Sequence, residues 1–333
     1  MLFNIELPKK LNKFNYFKKE EKGCKLYSYN GINGNDIYII SEYPDLEISK
    51  DFCIVNTTLE AIMKLQPNVE ITLNEKSIVA KSGKGKFSGK YVESNLIVPF
   101  MDFANTCNVN LEKLVKATNF VSTNEKKPIL TGVNLNQNGV IIATDSFKLY
   151  KYEDVERTEL LNPTNITIAS SFIKLADSLF DNKNLIAKYS NTSISIQEDN
   201  LMLVGHLLDG NYPNVKKIFE SLNGDKISLD RKDLLEAIEI TKAAGIEYIG
   251  KEKVVYATLS EGKFTGVGTD TFEKEIKYNG KTITVNAIYL EIALKSFETD
   301  EIDILVKDAT LSCLTAKDRN DEQIILLGIK NNN

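Results

Sequence analysis

IASSFIKLADSLFD, at Ile168–Asp181, is a short polar lead-in running into an amphipathic helix pattern, and the chain writes it three times. The other copies are NTTLEAIMKLQ at Asn56–Gln66 and VNAIYLEIALKSFE at Val285–Glu298. Their starts lie about 112 and 117 residues apart. A second helix pattern recurs about 120 residues apart, as VNLEKLVKATNFV at Val109–Val121 and LDRKDLLEAIEITKA at Leu229–Ala243. A Thr-Asp pair recurs too, at Thr144-Asp145 and Thr269-Asp270. A fixed period means one structural unit copied. A unit of roughly 110 residues can hold its own core, so the repeat predicts three domains and not a solenoid.

Between the helix patterns lie short runs with strand character, mostly rich in β-branched residues. They are Asp36–Ile40, Val69–Leu73, Ser77–Lys81, Val140–Thr144, Ser193–Gln197, Leu201–His206, Lys253–Leu259 and Ile302–Val306. Turn residues such as Asn136–Gly139 and Asn279-Gly280 separate them. Many short strands with about two helices per repeat predict α+β domains, each a sheet with helices on one face. Junctions are expected near Pro99–Asn110 and Phe219–Asp225, giving domains 1–103, 104–222 and 223–333.

Composition narrows the function classes. The 333 residues are 42% hydrophobic and 26% charged, an ordinary soluble globular balance. No apolar stretch approaches the ~20 residues of a membrane helix. The opening MLFNIELPKK places its charge after the apolar residues and does not read as a signal peptide. Cys24, Cys53, Cys107 and Cys313 are scattered without metal or disulfide spacing, which suits reduced thiols in a cytoplasmic protein. The net charge of −5 gives no global attraction to a polyanion. Only Arg157, Arg231 and Arg319 among the 41 basic residues are arginine. Guanine-edge reading is chiefly arginine work, so any nucleic-acid contact should be to phosphates and not sequence-specific.

Catalytic and cofactor motifs are absent. The single His206 sits in an apolar strand pattern, where a packed or edge residue is the ordinary reading. There is no GxSxG, Walker A loop or HExxH, and Ser82–Lys86 (SGKGK) reads as a lysine-bearing hairpin turn. No catalytic residue, metal site or cofactor is expected. That favours a binding or scaffold protein over an enzyme.

Two segments go further than pattern. PILTGVNLNQNGVIIATDSFKL at Pro128–Leu149 and LLDGNYPNVKKIF at Leu207–Phe219 together resemble the bacterial β sliding clamp family, the processivity subunit of DNA polymerase III. The shared features are an "iL-x-G" strand, an "ATD" hairpin after it and a "G-x-[FY]-P" segment followed by basic residues. With the three-fold repeat, the match covers domains two and three well and domain one partly, through Val69–Ser88. The resemblance implies a DNA clamp fold of three tandem domains and a head-to-tail homodimeric ring. Helices would line the hole around duplex DNA, with sheets outside. It further implies a non-enzymatic tether for DNA polymerase, a clamp loader and other clamp-motif partners. A clamp-fold adaptor that binds partner peptides without encircling DNA is the alternative.

The resemblance also assigns sites. A slot for a Leu/Phe-type peptide anchor would involve Leu130 on its strand and Thr144, Ser146, Phe147, Lys148 and Leu149 in the hairpin. Pro213, Lys217 and Ile218 follow at the junction, then Asn286 and Tyr289 at the last helix and Ser312 in a late strand. Ile325, Leu327, Gly328 and Ile329 complete the set. Leu130, Leu149, Ile218, Ile325, Leu327 and Ile329 would form the apolar slot, with Lys148 and Lys217 at its rim. DNA-facing candidates are Lys9, Lys10, Lys13, Lys113, Lys116, Lys126, Lys127 and Lys174. The lysine-rich Pro8–Lys22, interleaved with Phe14, Tyr16 and Phe17, reads either as a DNA-facing first element or as a solvated face over an aromatic core.

Seam positions map onto Phe87, Gly89, Ala243 and Ala244, of which only Phe87 keeps bulk. Ser146 stands where the family has Gly, and Gly328 where it has Pro. Domain one is short, and a truncated first helix is expected there.

Overall fold

A computed structural model gives the fold for residues 14–32, 35–44, 46, 48–65, 69–83, 85–92, 102–136, 139–153, 165–244, 247–249 and 252–329. The chain opens with β1 (Phe14–Lys19), β2 (Cys24–Ile32), β3 (Asn35–Tyr43) and β4 (Phe52–Val55). Helix α1 (Asn56–Met63) and the meander β5 (Glu70–Leu73), β6 (Ser77–Ser82) and β7 (Gly85–Lys90) follow. Next come β8 (Asn105–Asn110), α2 (Leu111–Ala117), β9 (Gly132–Leu135), β10 (Ile141–Thr144) and β11 (Lys148–Tyr152). They lead to β12 (Ile166–Ala169), α3 (Ser170–Leu179), β13 (Asn184–Tyr189), β14 (Ser193–Glu198), β15 (Leu201–His206) and the short α4 (Lys216–Glu220). A third set starts with β16 (Ile227–Asp230), α5 (Arg231–Ala243), β17 (Glu247–Ile249) and β18 (Glu252–Val254). It continues through β19 (Tyr256–Ser260), β20 (Lys263–Val267), β21 (Thr271–Glu275), β22 (Ile283–Asn286) and α6 (Ala287–Ser296). The last meander is β23 (Glu301–Asp308), β24 (Leu311–Ala316) and β25 (Glu322–Leu327).

The three quoted repeats are one element, a short strand running straight into a helix: β4–α1, β12–α3 and β22–α6. The second pair is the same device, β8–α2 and β16–α5. Side-chain caps start two of these helices. The Asp230 carboxylate accepts from the Asp233 N–H at 2.9 Å, and the Asn286 amide oxygen accepts from the Ile288 N–H at 2.9 Å. Helical spacing then buries Leu234, Ala237, Ile238 and Thr241 of α5, and Phe172, Ile173 and Ala176 of α3. Close seating needs missing side chains. A Cβ on Gly266 of β20 would lie 1.9 Å from the Thr241 hydroxyl, and one on Gly205 of β15 would lie 2.6 Å from the Phe172 ring.

Pairing shows a rule. One eight-stranded sheet runs β4-β1-β2-β3-β15-β14-β13-β8 and another β12-β9-β10-β11-β25-β24-β23-β16. Each is two four-stranded halves joined antiparallel, where the last strand of an early meander meets the last strand of a late one: β3 with β15, and β11 with β25. A four-stranded sheet, β21-β20-β19-β22, has the early form, and a three-stranded sheet, β5-β6-β7, matches the three meander strands of the late form. Among the described residues, the outer strands β21 and β7 pair with nothing beyond their own sheets.

The chain divides into two compact units, residues 1–112 with 168–208, and residues 113–167 with 209–333. In the first, Phe17, Leu26, Phe52, Leu59, Ile62 and Ile78 form a core beside α1, and Tyr16, Tyr27, Ile40 and Val204 form another. Alternation along β1 explains both, since neighbours point to opposite faces. Phe17 stacks on Phe52 with ring centroids 4.7 Å apart, while Tyr16 meets Tyr27 at 6.3 Å. The described part of Pro8–Lys22 is therefore a paired strand over an aromatic core, with Lys18 and Lys19 exposed. Leu130 is a correction to expectation. It lies in a 3₁₀ turn, Pro128–Thr131, just before β9 and not on the strand. Pro128 has no N–H for a ladder, and the Thr131 hydroxyl donates to its carbonyl at 2.7 Å, closing the turn.

Candidate functional site

The second unit holds every residue assigned to the peptide slot. Its centre is the β10–β11 hairpin, which folds around the Thr144-Asp145 pair. The Thr144 hydroxyl donates to the Lys148 carbonyl at 2.8 Å and accepts from the Ser146 N–H at 3.1 Å. One Asp145 carboxylate oxygen accepts from the Phe147 and Lys148 N–H groups at 2.8 and 2.9 Å, and the other from the Lys148 ammonium. This is turn chemistry that Thr and Asp side chains perform well. The strain sits on Ser146, whose φ of 84° is one that glycine adopts freely. The Thr144 N–H donates to the Tyr212 hydroxyl at 3.0 Å, tying the hairpin to the segment before α4. Burial, partly offset by that hydrogen bond, raises the Tyr212 phenol.

Strand alternation sorts the slot residues by face. Leu149 pairs with Ile325, and Ile325 with Cys313, so the three make a row across β11, β25 and β24. Val140, Ile142, Val215 and Leu311 pack with them, and Tyr212, Phe219 and Leu222 lie over the cluster. Leu327 is two residues beyond Ile325 on the same face and 42% exposed; Ile218 is 37% exposed between the packed Val215 and Phe219. A buried apolar row with exposed Leu and Ile beside it suits an apolar anchor. Pro213 and Lys217 lie beside it in the exposed segment around α4.

Lys148 and Ser312 point the other way. Lys148 is next to Leu149 on β11 and therefore faces the opposite side, 6% exposed, so it is not at the rim of the Leu149 row. Its ammonium lies 5.1 Å from the Tyr289 ring and 6.0 Å from the Phe120 ring. The exposed Phe147 stacks on Tyr289 at 6.4 Å, which fastens the hairpin tip to the first turn of α6 above the Asn286 cap. The Ser312 hydroxyl is buried and donates to the Leu326 carbonyl at 3.3 Å. The Phe147 carbonyl accepts from the Leu327 N–H at 3.0 Å, and the Ile329 N–H donates to the Thr284 carbonyl at 2.7 Å. Gly328 is explained locally. Its N–H donates to the Thr310 carbonyl at 2.8 Å, which proline cannot do, and a Cβ there would lie 2.0 Å from the Ala309 carbonyl oxygen. Sequence reading missed Val140, Ile142, Tyr212, Val215, Phe219 and Cys313. The i, i+2 spacing of Val140 and Ile142 before Thr144, and the i, i+4 spacing of Val215 and Phe219, were the available signals.

The lysines expected to face DNA divide into three groups. Lys9, Lys10 and Lys13 lie outside the described residues. Lys126, Lys127 and Lys174 are exposed. Lys113 and Lys116 are engaged, by Glu322 at 3.3 Å and Glu298 at 3.4 Å. Burial lowers the Lys116 value, but the two glutamates outweigh it and hold the ammonium above its ordinary range.

Of the positions expected at a seam, the half-buried Phe87 packs against its own core. A Cβ on Gly89 would lie 2.8 Å from the Phe87 ring and 3.2 Å from the Thr58 methyl group, which accounts for the missing bulk. Ala243 ends α5 and Ala244 is its C-cap. Elsewhere, His206 is exposed at the end of β15. All four cysteines are buried, and burial pushes the thiols of Cys24, Cys107 and Cys313 up to about 12. Among the described residues no His, Cys, Asp and Glu group is placed to hold a metal, and no helix is long and apolar enough to cross a membrane.

Helix-backed half-sheets that join edge to edge, with the repeated strand-into-helix element, define the α+β DNA clamp class. Residues 107–214 match the family described as DNA polymerase III beta subunit, central domain. The beta sliding clamp of Staphylococcus aureus is 25% identical over 296 residues, covering 82% of this chain and 76% of its own length. That of Staphylococcus epidermidis is 24% identical over 318 residues, covering 89% and 82%. Among solved structures, the Bacillus subtilis DNA polymerase sliding clamp superposes with a TM-score of 0.77 at 20% identity, covering 96% of this chain and 91% of that one. The Streptococcus pneumoniae DNA polymerase III beta chain gives 0.80 at 18% identity, covering 96% and 92%. The chain is similar to the bacterial DNA polymerase III beta subunit, the beta sliding clamp, most specifically over residues 107–214.

Proposed function

We propose that this chain is a sliding clamp: two copies close head to tail into a ring around duplex DNA and tether a polymerase and other partners. Its role is topological and non-enzymatic, raising the effective concentration of the polymerase at the primer end. It would act in the cytoplasm, with a clamp loader to open the ring, and with neither metal nor cofactor.

The observation that carries the ring is the pairing rule. Both eight-stranded sheets join an early half-sheet to a late one, and one half-sheet of each kind remains, with outer strands β21 and β7. Pairing β21 of one copy with β7 of the next completes the pattern at both seams, and a head-to-tail contact that closes makes a ring. The six half-sheets also support domains 1–103, 104–222 and 223–333, each holding one early and one late half.

The seam would be polar, because Gly89, Ala243 and Ala244 supply little bulk and Phe87 packs against its own core. On β7 the outward residues are Lys86, Ser88 and Lys90; on β21 they are Thr271, Glu273 and Glu275. In any register that aligns the outward faces, Glu273 lies opposite or diagonal to a lysine, within reach of cross-strand pairing. Inside the ring, lysines already engaged by Glu322 and Glu298 leave a weak grip on phosphate, which suits a protein that slides. Partners would dock an apolar anchor on the Leu149–Ile325 row.

Retention on DNA tests the reading. After loading, the protein should stay on closed circular duplex and run off the same DNA once it is cut to a linear form. Equal retention on both would show binding without encirclement.

A further inference from the structure

Beside the apolar row lies a cavity of about 780 Å³ that no slot assignment uses apart from Pro213. Its size falls within the roughly 300–1,000 Å³ of ordinary ligand pockets. We infer that this cavity is a second compartment for the same partner segment, receiving a neutral, polar stretch of extended polypeptide next to the apolar anchor. The inference rests on the slot reading above.

Three observations carry it. The first is continuity. The cavity floor is Val140 and Ile142, and its wall includes Val215 and Phe219; the same residues pack with Leu149 and Ile325. The row and the cavity therefore share walls, and a chain anchored at the row has the cavity next to it. The second is charge. Lys151 is bound by Glu153 at 2.6 Å and lies 5.3 Å from the Phe219 ring, and Lys216 faces Glu220 at 3.6 Å. Each basic group at the cavity already has its carboxylate, so no field remains for a phosphate or an acidic segment.

The third is hydrogen bonding. Asn134, Asn136, Asn165 and Asn214 line the cavity, and an amide offers both donors and an acceptor, as a peptide backbone requires. Asn134 is engaged, donating to the Asn165 amide oxygen at 3.1 Å and to the Ile166 carbonyl at 3.2 Å. The Asn136 amide oxygen is buried and has no hydrogen-bond partner among the described residues. A buried acceptor left in that state is unfavourable, and an entering N–H group relieves it.

Fluorescence anisotropy with synthetic peptides tests this. The probes are labelled Ser-Leu-Phe-Ser and the same peptide lengthened by Ser-Gln-Asn-Ser at its amino or carboxyl end. One lengthened probe should bind the wild-type protein about tenfold tighter than the short probe. That gain should fall below about threefold in Asn136→Leu, with the short probe's affinity unchanged. Asn165→Leu, which removes a second amide from the cavity wall, should do the same, and circular dichroism of both variants confirms folding. If neither lengthened probe gains affinity, or the gain survives both substitutions, the inference is overturned. Leu149→Asp separates the two readings. Loss of the short probe in Leu149→Asp without any gain from lengthening overturns only the cavity. Unchanged binding of the short probe in Leu149→Asp overturns the slot and the cavity together.

Discussion

Reversing Lys86 and Lys90 to glutamate should break the ring, and the size of the effect follows from the outward faces of β7 and β21. Exposed ion pairs contribute about 0.2–1 kcal/mol each, so two pairs give about 0.4–2 kcal/mol at a seam. Reversal removes that and adds like-charge repulsion of similar size, for a change of roughly 1–4 kcal/mol per seam. Glu273 already pairs with Lys263 at 2.5 Å on its own sheet, which holds its share toward the low end. A closed dimer has two seams, so even the lower figure doubles to about 2 kcal/mol, roughly thirtyfold in the dissociation constant. Sedimentation velocity across a dilution series reads this directly. Lys86→Glu/Lys90→Glu should dissociate at concentrations where the wild type is dimeric. Adding Glu273→Lys/Glu275→Lys to the same chain should restore the dimer, because each seam then carries the same pairs with signs exchanged. In about 1 M salt the Debye length shrinks to about 3 Å and the difference between wild type and reversal should largely vanish. An unchanged dimer in the reversed variant, or no recovery in the swapped one, would refute β7–β21 pairing as the seam.

Two further substitutions probe the interior of the second unit. Ser146→Gly relieves a φ of 84°, worth about 1–2 kcal/mol, against a glycine entropy cost of about 0.5–1 kcal/mol. The melting temperature should rise by roughly 1–3 °C; a fall would mean the Ser146 side chain does more than tolerate the turn. Glu291 links α5 to α6 through Lys242 and Lys295, both at 2.7 Å. Burial pushes its carboxyl up, but the two lysine hydrogen bonds outweigh that and hold it below the usual carboxylate range. A lowered folded value adds stability above the unfolded carboxyl's ~4.3, lost as pH falls through the folded value. Glu291→Gln should therefore be less stable than wild type by about 1 kcal/mol at pH 7 and close to it at pH 3; a gap that persists at pH 3 would contradict the ion-pair origin.

Much of the fold was legible because the repeated helix patterns and the β-branched runs are local signals. The patterns that start at Asn56, Ile168 and Val285 contain α1, α3 and α6, and Val140–Thr144 and Leu201–His206 contain or match β10 and β15. Pairing was not legible. Nothing in the period-two pattern of Asp36–Ile40 says that β3 meets β15, more than 150 residues away, because ladder partners are chosen by the folded sheet. The slot was half legible. Leu149 and Ile325 stand on one face, and Lys148 and Ser312 follow alternation to the other. Leu130 left its strand because Pro128 turns the chain. Val215 and Phe219 escaped notice because α4 is five residues long, too short for a helical period to show.

The ring itself is tested most directly by small-angle X-ray scattering across a concentration series. A mass of twice 37.4 kDa with the distance distribution of an annulus is the expected result. A monomer at every concentration, or a dimer with no central hole, would contradict it.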